Sequence, residues 1–202
     1  MYVTTVTELR LFKQKPLFCL LIFLLIAVIP EQTKATENSY VFDSFNTKIG
    51  FGLKVLGLKR ITGDFGTING KAIISRDSQN LSFINITVLS ESVHNDSTYI
   101  EAKMKSDDFL NVARFPTISF RSNSFEWTTQ DDIIITGPLT LHGITKEIRW
   151  VAKIVASKGV SVQQQRYRVN TEISRSDFGI TKGLPFISDK ITLNIEIQAY
   201  PS

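Results

Sequence analysis

Two runs of alternating apolar side chains flank one glycine-containing break, and this arrangement leaves the chain few ways to fold. Ile133, Ile135, Leu139 and Leu141 share one parity before the break. Ile148, Trp150 and Ile154 share one parity after it. Side chains of an extended chain alternate between its two faces, so each run reads as a strand with one buried face. His142-Gly143 lies between them, and glycine accepts a positive φ without steric cost, so the break reads as the tight turn of a hairpin. Antiparallel sheet with one face of large apolar groups is the expected result. A slip of one residue in register would turn that entire face to water.

The rest of the chain repeats the pattern. Tyr40–Phe45 is short and aromatic. Lys48–Leu56 alternates through Ile49, Phe51, Leu53 and Val55. Ile61–Ser75 carries Gly63, Gly66 and Gly70, which predict bulges or a sharp bend. Asn80–Leu89, Thr117–Phe125, Arg166–Ser174 and Lys190–Ala199 supply further strands. Closely spaced strands with polar turns between them predict an all-β barrel or sandwich of about eight strands. One segment differs. Thr98 followed by Glu101 fits a capping box, with Ile100 and Met104 one turn apart and Glu101 four before Lys105, which predicts a short helix over Tyr99–Lys105. Ser106, Asp107 and Asp108 are expected to start a second helical turn, and Phe109, Leu110 and Phe115 to pin this insert onto the barrel.

Three segments together resemble the YceI-like family. They are GPLTLHGITKEI at Gly137–Ile148, YIEAKMKSDDFLNVARFPTISF at Tyr99–Phe120, and SRSDFGI at Ser174–Ile180. They occur in the family's order, and the resemblance runs from about Tyr40 to Ala199. It implies an extended antiparallel lipocalin-like barrel with a short helical insert, periplasmic, holding an isoprenoid or other long-chain lipid inside. By parity, Phe51, Leu53, Val55, Phe65, Phe120, Leu139, Leu141 and Trp150 are expected to line the interior. Inward-facing apolar residues usually pack against each other, so the residues alone favour a filled core; the resemblance implies an elongated cavity instead. A chain of about 40 carbons, at ~0.3 kcal/mol per heavy atom, would then gain roughly 12 kcal/mol, a nanomolar dissociation constant. Arg175, Asp177 and Phe178 are the candidates at the mouth. Two apart in an extended segment, Arg175 and Asp177 would share a face, either as a local ion pair or as a polar group meeting a lipid headgroup.

The N-terminus carries a different signal. Arg10, Lys13 and Lys15 precede an apolar run from Leu17 to Ile29, and Thr33-Lys34-Ala35 follows. This is the layout of a cleaved signal peptide over residues 1–35, with the mature domain over 36–202 and a periplasmic location. The run is shorter than the roughly 20 residues a spanning helix needs. The single cysteine, Cys19, lies within it, so the mature chain would have no disulfide. Loss of Arg10, Lys13, Lys15, Lys34, Glu8 and Glu31 lowers the net charge from +4 to +2. No dense cationic run remains, which excludes a nucleic-acid footprint.

Catalytic patterns are sparse. His94 and His142 are the only histidines, and neither has the spacing of a zinc site. There is no G-x-S-x-G, and the adjacent Asp107-Asp108 and Asp131-Asp132 pairs are not facing carboxylates. No metal, cofactor or catalytic residue is expected. The reading is an exported lipid-binding protein. An enzyme acting on an isoprenoid lipid and a ligand-free structural or stress-response protein are the alternatives. A homodimer and transient contact with a membrane stay open.

Overall fold

The computed structural model describes residues 38–75, 82–155 and 165–199. The expected signal peptide, its cleavage site and Cys19 lie outside the described residues. Twelve strands form one antiparallel sheet: β1 (Asn38–Asp43), β2 (Thr47–Val55), β3 (Lys59–Phe65), β4 (Ile68–Ile74), β5 (Phe83–Leu89), β6 (Val93–His94), β7 (Thr117–Arg121), β8 (Ser124–Trp127), β9 (Asp132–Leu141), β10 (Ile144–Val155), β11 (Gln165–Ser174) and β12 (Lys190–Ala199). The order is β1-β4-β5-β7-β9-β10-β11-β12-β2-β3-β6, with β8 also paired to β9. The all-β, barrel-like class holds, but the strands among the described residues number twelve rather than about eight.

Two expected strands are each split in two, for visible reasons. The glycine-rich Ile61–Ser75 breaks after Phe65, where the Gly66 N–H donates to the Ser92 carbonyl at 2.9 Å. The Thr117–Phe125 run breaks because its two halves pair with different stretches of β9: β7 with Leu139 and Thr140, β8 with Ile133 to Thr136. The bend between them passes over Gly137. A Cβ there would lie 2.1 Å from the Arg121 carbonyl oxygen, so only glycine admits the crossing.

The sheet curls so that its apolar face is concave. The Leu89 N–H donates to the Thr67 carbonyl at 3.0 Å, tying the β3–β4 corner to the end of β5. At the other end Tyr40 and Phe42 of β1 share a core with Ile197 and Ala199 of β12. The β9–β10 hairpin has the expected register, with Leu141 opposite Ile144 and Trp150 opposite Ile135. His142 and Gly143 form its two-residue turn with φ of 51° and 73°, the left-handed values that turn type requires. Trp150 is buried, and Trp127 is the more exposed of the two, half-buried against the core.

The helix α1 spans Thr98–Lys105. Its cap sits one residue earlier than the sequence suggests, at Ser97, and no side chain caps it. The Glu101 carboxylate instead reaches past the cap. It accepts from His94 Nδ1 at 2.9 Å and pairs with Lys105 Nζ at 3.0 Å. The expected second turn forms over residues 107–110, where the Phe109 and Asn111 N–H groups donate to the Ser106 carbonyl at 3.0 Å each, but it does not continue as helix. Ser106 ends the helix by donating its hydroxyl to the Lys103 carbonyl, and an irregular loop runs on to Pro116.

Candidate functional site

Residues of eight strands, together with Met104 of α1 and Phe109 and Leu110 of the following loop, surround a cavity of about 150 Å³. With its open mouth the space reaches about 1050 Å³. By contrast, a cavity needs only about 10–15 Å³ on the enclosed measure to hold one water. Of the interior residues anticipated from parity, Phe51, Leu53, Phe65, Phe120, Leu139, Leu141 and Trp150 line it. The wall also contains Ile49, Ile173, Ile191, Leu193 and Ile195. Their alternation is plain in the sequence, but parity cannot say at which height along the barrel a side chain sits.

Below this chamber is a second apolar one of about 40 Å³, between Phe42, Phe125, Ile133, Tyr167 and Ile197. Phe120 and Trp150 border both chambers. Their rings stack at 4.7 Å with an interplanar angle of 24°, and so form a partition across the barrel. The offset stacking of two aromatic rings adds about 0.5–1.5 kcal/mol beyond the burial itself. The interior is therefore neither one long channel nor a solid core.

Three sequence expectations need correction. Val55 does not line the cavity; it stands at the end of β2, bridged to Ile187. Phe178 is buried in the core and lends its carbonyl to His142 Nδ1–H at 3.1 Å, away from the cavity wall. Asp177 is exposed and does not share a face with Arg175. The segment Arg175–Phe178 is a 3-10 turn, not extended chain, so residues two apart diverge.

Arg175 has a different setting. It is 1% exposed and borders the cavity. Nε donates to the Ser188 carbonyl at 2.9 Å, Nη1 to those of Ile180 and Lys182 at 2.8 Å each, and Nη2 to that of Ile187 at 3.0 Å. Guanidinium has five N–H donors, and four of them are engaged in this way. Burial pulls its pKa down from the usual arginine value, and Asp189 opposes this. The side chain acts as a staple that gives the loop over residues 179–189 its shape.

The three segments that carry the family resemblance meet at one corner. The Phe115 ring packs 4.5 Å from that of His142, and a Cβ on Gly143 would strike it at 2.4 Å. His142 in turn holds the Phe178 carbonyl. Gly179 ends the 3-10 turn with φ 75°. These five residues do not line the chamber, although the same three segments also supply wall residues such as Phe120, Leu139, Leu141 and Ile180.

Asp189 is held below the usual carboxylate range, first by the Ser176 N–H at 2.9 Å, with help from the Ser176 hydroxyl. Glu101 is lowered mainly by Lys105 and His94. A carboxylate whose folded pKa is depressed stabilises the fold above its unfolded pKa, and that contribution is lost as pH falls through the folded value. Acid should therefore loosen the loop over 179–189 below about pH 4. The check is thermal unfolding across pH for the parent and Asp189→Asn. The variant should melt lower at pH 7, and the gap should close as the pH drops.

Among the described residues, no group of three or more His, Cys, Asp or Glu side chains stands together as a metal site. Comparison with known proteins places this geometry. The YceI-like domain matches residues 40–199. Protein YceI of Salmonella arizonae is 28% identical over 174 residues, covering 85% of this chain and 87% of that protein. The crystal structure of the Campylobacter jejuni YceI protein is 25% identical with a TM-score of 0.63, covering 74% of this chain and 90% of that one. A polyisoprenoid-binding domain from Saccharophagus degradans, implicated in plant cell wall breakdown, shares the fold with a TM-score of 0.63 at 13% identity, covering 83% of this chain and all of that one.

Proposed function

Because the chain belongs to the YceI-like domain family, we propose that it binds the hydrocarbon part of a long-chain lipid, such as a polyisoprenoid, in the upper chamber. The observation that carries this reading is an apolar cavity left open inside the barrel, with Ser119 and Arg175 its only polar lining residues among the described residues and most of the arginine's donors already engaged. The name of the Saccharophagus degradans domain points to the same ligand class. Such walls offer dispersion contacts and exclusion of water, and the polar end of the lipid stays at the mouth. An enclosed volume of this size is comparable to an engineered core cavity that accepts benzene. A chain much longer than that extends through the mouth or parts the Phe120–Trp150 stack to reach the lower chamber.

Export belongs to the same proposal and rests on the basic and apolar N-terminal pattern. An intact mass beginning near Thr36 in a periplasmic fraction supports it, and retention of Met1 in a membrane pellet contradicts it.

Trp150 reports on occupancy. In a Trp127→Phe variant it is the sole indole. Geranylgeraniol, with about 20 heavy atoms at ~0.3 kcal/mol each, should bind with a dissociation constant on the order of tens of micromolar. Its addition should change the emission saturably in that range. Unchanged emission at saturating ligand would remove the lipid from the chamber.

A further inference from the structure

At the tip of the β2–β3 hairpin the chain reads Leu56-Gly57-Leu58, and all three residues are exposed. Leu56 is 67% exposed and has φ 51°, while Leu58 is 92% exposed. A left-handed position in a solvent-facing turn favours glycine, asparagine or aspartate, so folding gains nothing from leucine there. The loop over residues 179–189 lies beside this tip. The Leu56 N–H donates to the Phe186 carbonyl at 2.6 Å, and Val55 bridges Ile187. That loop adds Phe186, 65% exposed, and Leu184, 39% exposed. Four large apolar side chains thus stand in solvent on two adjacent loops, where sequence and local structure disagree. Such disagreement marks function more often than folding.

Charge surrounds the patch. Residues 54–60 and 182–190 contain Lys54, Lys59, Arg60, Lys182 and Lys190 against one carboxylate, Asp189. Asp189 is already occupied by Ser176, while Lys182 also reaches Asp108 at 3.3 Å. Both loops are continuous with the chamber. Leu53, three residues before Leu56, lines it, and Arg175, which also borders it, holds four carbonyls of residues 180–188.

We propose that these two loops dock the mouth of the barrel onto an anionic lipid bilayer, with Leu56, Leu58, Leu184 and Phe186 entering the interface and the lysines and arginine facing the headgroups. Apolar side chains flanked by cations match the interfacial zone of a charged membrane, and each cation near such a surface adds to the attraction. The surface deepens the lipid-binding reading, since it places the chamber beside the bilayer from which a lipid would enter.

The test is flotation of the full chain with phosphatidylglycerol/phosphatidylethanolamine vesicles and with phosphatidylcholine vesicles. The parent should float with the anionic vesicles at low salt, at least tenfold more than with the neutral ones, and the difference should shrink as salt rises. Leu58→Ser combined with Phe186→Ser should lower anionic-vesicle binding at least tenfold, with an unchanged melting temperature. Phe45→Ser, at the exposed β1–β2 turn, should leave binding as it is. A double variant that floats like the parent overturns the proposal. So does a parent that ignores vesicles but forms a dimer that the double variant loses, since a second copy would then be the occupant. Blocking the chamber with Leu141→Trp should leave flotation intact, so failure of lipid binding inside and failure of docking outside are read separately.

Discussion

Arg175→Met should lower the unfolding free energy by about 3–5 kcal/mol, the largest stability loss expected of any single change at the mouth. The arginine is fully buried and its guanidinium satisfies four backbone carbonyls of residues 180–188. Each buried acceptor left without a donor costs about 1–3 kcal/mol, less where water can reach it. In a domain of this size the melting temperature should fall by roughly 10 °C. Arg175→Lys should recover little, because an ammonium on a flexible stem cannot reproduce a planar fork bonded to four separated oxygens. Thermal unfolding of the three proteins decides it. A methionine variant within 1–2 °C of the parent would mean that the loop over 179–189 holds its shape without the staple.

Leu141→Trp should abolish lipid retention while barely touching stability. Leu141 is buried and borders the upper chamber, so an indole there has about 150 Å³ to occupy. Were the interior close-packed, the larger ring would cost about 1–3 kcal/mol or more. With open space the change in stability should stay below about 1 kcal/mol, while affinity for a long-chain lipid falls on the order of 100-fold. Denaturant unfolding and a lipid-binding titration on the same preparation separate the outcomes.

Strand parity was the legible part of this fold. Ile133 to Leu141 and Ile148 to Ile154 alternate in the sequence as they do in the barrel, because a half-buried strand must present every second residue to the core. The hairpin at His142-Gly143 was equally readable, since its dihedral angles demand a residue like glycine. What parity could not supply was height and enclosure. Nothing local distinguishes Ile133, in the lower layer, from Leu141, at the upper chamber, or says that Phe120 and Trp150 meet between them. The splitting of Thr117–Phe125 depends on the contact of Gly137 with Arg121, which only the folded sheet brings together. Arg175 borders the chamber as expected, but Asp177 does not share its face, for a related reason. A 3-10 turn forms where the alternation suggests extended chain, and the arginine's partners are carbonyls up to thirteen residues away.

The family motifs mark one corner of the molecule and part of the chamber wall, including Phe120, Leu139 and Leu141, but not the wall that β2, β3, β11 and β12 supply. Phe115 and His142 pack together at that corner, whereas the chamber is built largely from isoleucines, leucines and phenylalanines spread over the barrel strands. Aliphatic residues of that kind carry no motif, because any of several similar side chains can fill the same wall.

Mass spectrometry of a solvent extract of the purified, native protein tests the central claim most directly. A lipid-binding barrel should release one class of long-chain apolar lipid, near one equivalent per chain, and the Leu141→Trp protein prepared in parallel should release little or none. An extract of the parent with no lipid above that of the variant would contradict the account and leave the chamber an empty feature of the fold.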